Sequence, residues 1–166
     1  ASDPGCLRTN NEDAVRVVRP PNENSALLAM VCDGMGGHAG GEQASRIAAD
    51  TIALRYREEG EPGEVLADAV RCANREVYRT AAADTALRGM GTTCTALVLR
   101  GGLAWCAHVG DSRCYLIRAK EIFVMTEDHS AVMELVRDGT ISRDEAREHP
   151  DKNVISRALG SHAEVE

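Results

Sequence analysis

The thirteen residues Met30-Val31-Cys32-Asp33-Gly34-Met35-Gly36-Gly37-His38-Ala39-Gly40-Gly41-Glu42 hold the densest chemistry in this chain. An apolar segment ends on the Asp33 carboxylate, and five of the next eight residues are glycine. Glycine removes side-chain bulk and permits positive φ, so backbone can crowd against a bound ion or ligand. A carboxylate in that position suits a cation better than a bare phosphate. Three more charged features accompany it: Arg8, the Glu12-Asp13 pair, and Asp111. Each is expected in a loop or at a strand end, where functional groups are usually carried. Hard cations such as Mg²⁺ and Mn²⁺ prefer carboxylate, carbonyl and water oxygens. Asp13, Asp33 and the Gly34 carbonyl are donors of that kind. Arg8, five residues before Asp13, offers a guanidinium that can grip a phosphate through two parallel hydrogen bonds.

Plainer readings exist for each feature. An isolated Asp33-Gly34 reads first as a turn after a strand, and Gly110-Asp111 as a hairpin turn. Glu12-Asp13 reads as solvated loop charge, Arg8 as a surface arginine, His38 as a loop histidine. Met35 reads as packing and Cys32 as a small core residue. A sharper rival is the dinucleotide pattern G-x-G-x-x-[GA], which Gly34 to Ala39 fits between a strand and a helix. Asp33 would then set negative charge beside a pyrophosphate. The acidic residue expected about 20 positions on should end a second strand, and that region reads as helix interior. A P-loop is excluded, because no G-K-[ST] follows the glycines.

These residues need elements to hold them. Leu27 to Cys32 reads as a buried strand. Ala44, Ile47, Ala48, Thr51, Ile52 and Tyr56 recur at helical spacing, closed by Gly60. Gly60 to Gly63 reads as a turn, followed by a helix that places Leu66, Ala69, Val70, Ala73 and Val77 on one face. Thr92 to Leu99, Leu103 to Val109, Arg113 to Ile117 and Glu121 to Met125 read as strands. Gly101-Gly102 and Gly110-Asp111 stand between them as hairpin turns. Ala131 to Val136 is patterned as a helix. Ser142-x-x-Glu145 has the form of a capping box opening another. Val154 to Leu159 reads as a last short helix stopped by Gly160. Sequential hairpins flanked by helices predict an α+β domain with an antiparallel sheet.

The bulk numbers narrow the class. One domain fits 166 residues, and 43% apolar with 27% charged residues is ordinary for a globular protein. A net charge of −7 argues against nucleic acid and against anionic lipid. No apolar run spans a bilayer. No basic-then-apolar leader stands at Ala1, so the expected compartment is the cytoplasm. The six cysteines are scattered without a C-x-x-C pair. They read as reduced core or strand residues, with a thiolate zinc site the weaker alternative.

Taken in order, the segments resemble the metal-dependent Ser/Thr protein phosphatases of the type 2C (PPM) family in their bacterial form. The resemblance is carried by Asp3-Pro4-Gly5 through Arg8, Asn11-Glu12-Asp13, Asp33-Gly34-Met35-Gly36-Gly37-His38, Gly41-Glu42 and Ala44-Ser45. It continues through Met90-Gly91-Thr92-Thr93, Ala107 to Arg113, and Asp128-His129-Ser130. It implies a β-sandwich flanked by helices in α-β-β-α layers. It implies hydrolysis of phosphoserine and phosphothreonine by a water bridging two Mn²⁺ or Mg²⁺ ions. By match, Asp33 would bridge the metals, Asp13 and the Gly34 carbonyl would bind them, and Asp111 would serve a third, weaker site. Arg8 would hold the substrate phosphate. Residues 130 to 160 would form a flap that influences substrate choice. Phosphorylated Ser/Thr proteins and an opposing Ser/Thr kinase would be the partners.

Two departures stand beside the resemblance. Many eukaryotic members carry His directly after the Asp-Gly as a candidate general acid. Here Met35 takes that place, and His38 is the nearest substitute. The family's later metal aspartates, in a strand-Asp-Gly segment and an Asp-Asn, have no match before Glu166. Asp138-Gly139 follows a helical stretch, and Asp151-Lys152-Asn153 is not the dipeptide. The chain therefore reads as about two-thirds of such a domain, with C-terminal strands missing. A non-catalytic regulatory module with an incomplete metal site is the alternative function.

Overall fold

The computed structural model describes residues 2–4, 6, 10–19, 22, 25–36 and 38–165, with backbone alone for His38 and Ala39. The chain begins with two strands, β1 (Asp13–Val18) and β2 (Leu27–Met35), then two helices, α1 (His38–Arg55) and α2 (Pro62–Ala83). Five strands follow: β3 (Gly91–Thr92), β4 (Cys94–Arg100), β5 (Leu103–Val109), β6 (Tyr115–Arg118) and β7 (Glu121–Val124). Two short helices, α3 (Ala131–Arg137) and α4 (Arg143–Glu148), complete the order. All pairings are antiparallel. One sheet runs β1-β2-β4-β5, with β3 also paired to β2, and β6-β7 form a separate hairpin. The α+β class with antiparallel sheets and flanking helices agrees with the expectation.

Alternation along β2 fixes the two faces of the large sheet. Leu28, Met30 and Cys32 are buried toward the helices, while Ala29, Val31 and Asp33 point the other way. Helix α1 lies against β1 and β2, and α2 against β4 and β5. Ala44, Ala48 and Ala49 are fully buried, so small side chains let α1 sit close to the sheet. The core joins Leu28, Ile52, Leu66, Val77, Val98 and Leu159. Truncating one such leucine to alanine costs about 2–5 kcal/mol.

Several expected boundaries move. Strand β2 runs through Asp33 and Gly34 to Met35, so the Asp-Gly pair is strand rather than turn. Pro62 and Gly63 belong to α2, because proline suits the first helical turn and the Glu61 carboxylate accepts from Glu64 N–H at 2.8 Å. Gly101-Gly102 is the expected hairpin turn, with φ of 58° and 77°. Gly110-Asp111 is not, because β5 and β6 lie in different sheets. The capping box at Ser142 and Glu145 is formed. Val154 to Leu159 is not helical; its ends bridge to older parts of the chain, Ile155 to Ser130 and Leu159 to Thr92. Among the described residues no helix is long and apolar enough to cross a membrane.

Candidate functional site

Antiparallel register places Asp13 directly opposite Asp33 on adjacent strands. Residues so paired share a face, with Cβ atoms about 4.5–5.5 Å apart, and like charges there repel. Both aspartates are half-buried, on the sheet face turned away from the helices. Asp13 is fixed from below by an Asx turn, its N–H donating to Asn11 Oδ1 at 3.1 Å, while Ser2 Oγ donates to its carboxylate. The Asp33 backbone is held by two threonines. Its N–H donates to Thr93 Oγ1 at 3.0 Å, and its carbonyl accepts from Thr92 Oγ1 at 3.0 Å and Thr93 N–H at 2.9 Å.

Glycine is required where these strands meet α1. A Cβ on Gly34 would lie 2.0 Å from the Gly41 carbonyl oxygen and 2.7 Å from that of Glu12. A Cβ on Gly41 would lie 2.5 Å from Glu12 Oε2. The Gly34 N–H donates to the Glu12 carbonyl at 3.1 Å, and Ser45 Oγ donates to the same oxygen at 2.6 Å. The glycines thus let the Gly34, Gly41 and Glu12 main chains and the Glu12 carboxylate pack together. A small cleft beside them, of about 160 Å³, is lined by Asn11, Asp13, Glu42, Ser45 and Arg46.

The Asp111 turn reaches the pair through hydroxyls. Thr93 Oγ1, which accepts from Asp33 N–H, also lies 2.9 Å from Ser112 Oγ. Gly110 has φ of 112°, and a Cβ there would strike Thr93 Cγ2 at 2.6 Å. His108 and His129 stack beside the turn, with ring centroids 5.1 Å apart. His108 Nε2 faces the Glu127 carbonyl at 3.1 Å, and its Nδ1 meets Thr95 Oγ1 at 2.9 Å. Burial first lowers the pKa of both rings. Arg157 and the neighbouring His108 lower His129 further. Arg113 grips Asp128 with two nitrogens, and that hydrogen bonding raises the guanidinium pKa.

Of the residues singled out from the sequence, Asp13, Asp33 and Gly34 are brought together, and Asp111 is linked to them through Thr93 and Ser112. His38 opens α1, and its side chain is not described. Arg8 lies outside the described residues. Thr93, Ser112 and His129 had no assigned role, although all three sit in the matched segments. Cys32 and Cys94 are fully buried side by side. The Cys32 thiol and burial push the Cys94 thiol well up, which leaves it inert as a nucleophile or thiolate ligand. Among the described residues, no group of three or more His, Cys, Asp and Glu side chains forms a metal cluster.

An antiparallel α+β domain with paired strand carboxylates at a glycine-lined corner defines a class, and the relatives specify it. The Protein phosphatase 2C family matches residues 8–153, and the chain belongs to that family. It is 41% identical over 169 residues to the serine/threonine protein phosphatase PstP of Mycobacterium tuberculosis, spanning 99% of this chain and 31% of that protein. It is 39% identical to the serine/threonine phosphatase Stp of Listeria monocytogenes, spanning 99% of this chain and 67% of that one. The crystal structure of Stp1 from Staphylococcus aureus superposes with a TM-score of 0.89 at 35% identity, covering 99% of this chain and 66% of that one. The PstP catalytic domain in complex with two manganese ions superposes with a TM-score of 0.80 at 38% identity, covering 100% of this chain and 67% of that one.

Proposed function

We propose that this chain carries the Asp13–Asp33 part of a two-metal site in a phosphoprotein phosphatase that hydrolyses phosphoserine and phosphothreonine. The cross-strand register of the two aspartates carries the reading. Two carboxylates held opposite each other repel, and a divalent cation between them turns that repulsion into binding. The donor set is all oxygen, which suits Mn²⁺ or Mg²⁺ rather than a thiolate-loving metal. Asp13, Asp33 and the Gly34 carbonyl would hold the two ions, with Asp111 at a weaker third. Bound there, the ions would activate water and neutralise charge on the phosphoryl group. The protein's own part is placement. The Thr92 and Thr93 hydrogen bonds aim Asp33, the Asn11 turn aims Asp13, and the glycines keep the corner open to the backbone.

Arg8 is proposed to hold the substrate phosphate and His38 to protonate the leaving alkoxide, with residues 130–160 forming a substrate-selecting flap. The substrates would be phosphorylated proteins opposed by a Ser/Thr kinase of bacterial signalling, in the cytoplasm. The named relatives support this reading, as PstP and Stp are serine/threonine phosphatases. The test is Mn²⁺-dependent release of phosphate from a phosphothreonine peptide. Activity that survives both EDTA and Asp33→Ala defeats the proposal. A non-catalytic, metal-binding regulator is the second reading, favoured by the lack of a third clustered acidic or histidine ligand among the described residues. Mn²⁺ binding without turnover selects it.

A further inference from the structure

Gly110 and His129 are tied to each other twice. The Gly110 N–H donates to His129 Nδ1 at 3.1 Å, and the His129 N–H donates to the Gly110 carbonyl at 2.7 Å. A ring nitrogen that accepts from an amide is unprotonated, so His129 is the neutral Nε2–H tautomer. The ring is stacked on His108, which Thr95 and the Glu127 carbonyl hold in turn. The His129 carbonyl accepts from Ser156 N–H at 2.9 Å. On the opposite side, Thr93 Cγ2 fills the space a Cβ on Gly110 would need. The Gly110 peptide is therefore pinned between His129 and Thr93. Nδ1 holds the Val109–Gly110 peptide and the His129 N–H holds the Gly110–Asp111 peptide, so the backbone entering Asp111 is fixed on both sides of Gly110.

We propose that His129 is a positioning residue: by holding the Val109–Gly110 peptide through Nδ1, it fixes the Gly110 backbone that leads into Asp111. The proposal rests on the reading of Asp111 as a metal ligand. The interaction needs an acceptor at the δ position and nothing more. Asparagine supplies one at nearly the same place through Oδ1, and leucine supplies none.

The experiment compares the full chain with His129→Asn, His129→Leu and Asp111→Asn. Three readouts apply: ¹⁵N-histidine NMR of the unaltered chain, amide exchange at Gly110, and Mn²⁺ titration. His129 should show an unprotonated Nδ1. In His129→Leu, Gly110 exchange should accelerate by about tenfold, and Mn²⁺ affinity at the site weakened by Asp111→Asn should fall about fivefold, the scale of one hydrogen bond. His129→Asn should restore both. An Nδ1–H tautomer in the unaltered chain, unchanged Gly110 exchange in His129→Leu, or an asparagine variant as impaired as leucine each overturns the proposal. Undiminished Mn²⁺ affinity in Asp111→Asn also overturns the positioning role. In that case, faster Gly110 exchange in His129→Leu shows that the fault lies in the metal reading of Asp111, not in the pin.

Discussion

Asp13 and Asp33 are direct cross-strand partners on β1 and β2, two carboxylates on one face of the sheet. Their placement sets stability against function. In the proposed site, like charges on the pair repel and a divalent cation between them would bind. Asp13→Asn should therefore raise the stability of the metal-free chain by up to about 1 kcal/mol. The same substitution should abolish the rise in melting temperature that Mn²⁺ gives the unaltered chain. Calorimetric melts with EDTA and with Mn²⁺ check both halves at once. If the pair drives the chemistry proposed, Asp33→Ala should lower kcat/KM by about a thousandfold or more.

Gly34 and Gly89 separate two reasons for glycine. A Cβ on Gly34 would meet the Gly41 carbonyl oxygen at 2.0 Å and that of Glu12 at 2.7 Å, and both are main-chain atoms with no flexible end to yield. Gly89 has φ of 81°, with nothing within 4 Å of an added Cβ. Gly89→Ala should cost only the left-handed penalty, about 1–2 kcal/mol. Gly34→Ala should cost more than about 4 kcal/mol or prevent folding. Urea unfolding of the two variants gives the comparison, and equal costs would show that crowding at the β2–α1 corner is relieved by backbone movement.

Much of this was legible in the sequence, and the limits have physical causes. Glycine clustering and carboxylate type marked the Asp33 segment because both are local properties. Asp13 and Asp33 were singled out together, but their direct cross-strand pairing was not legible, because register is a tertiary property that no single strand encodes. Strand β1 went unread because Asp13 to Val18 lies at the edge of the sheet, and its burial does not alternate cleanly. Val154 to Leu159 carries apolar residues at helical spacing, yet Leu159 pairs with Thr92 and is fully buried. Long-range pairing overrode the local pattern there. Gly110-Asp111 has turn chemistry whichever sheet the next strand joins, so the sequence could not show that β6 leaves for the hairpin with β7.

The stacked histidines give stability a pH dependence with a definite sign. Burial lowers the folded pKa of His108 and His129 below the ordinary value of 6.5. The groups facing His129 are Arg157 and His108, which oppose its charge, and Glu127 and Asp128, which favour it. For His108 the favouring groups include Asp128 and Asp111. The unfolded chain thus binds protons more readily than the folded chain as pH falls through 6.5. The contribution is complete above that pH and declines below it. Protonation also replaces the His129 acceptor with a donor and breaks the Gly110 bond. Melting temperature should fall between pH 7.5 and 5.5, and His129→Asn should flatten that fall without removing it, since His108 still titrates. A variant that melts with the same pH profile as the unaltered chain would contradict the argument.

The buried amide of Asn74 makes the last stretch of the described chain part of the core. Its Nδ2 donates to the carbonyls of His162 and Ala163 at 3.0 and 3.1 Å, and its Oδ1 accepts from Gly160 N–H at 2.8 Å. All of its main hydrogen-bonding capacity is spent on residues 86 to 89 positions away. Gly160 itself has φ of 88°, and a Cβ would strike Val77 Cγ1 at 2.4 Å, so the segment lies hard against α2. Asn74→Leu keeps similar bulk and leaves one amide and two carbonyls without their partner. Each such loss costs about 1–3 kcal/mol when no water replaces it. The expected total is about 1–3 kcal/mol, because the two carbonyls near the surface regain solvent and the Gly160 amide does not. Asn74→Asp keeps the acceptor for Gly160 and loses only the two donations, so it should cost less at low pH, where the acid is neutral, than at pH 8. Denaturant unfolding at pH 4.5 and pH 8 tests that order, and Asn74→Leu unfolding like the unaltered chain would mean that residues 160–163 are not anchored through α2.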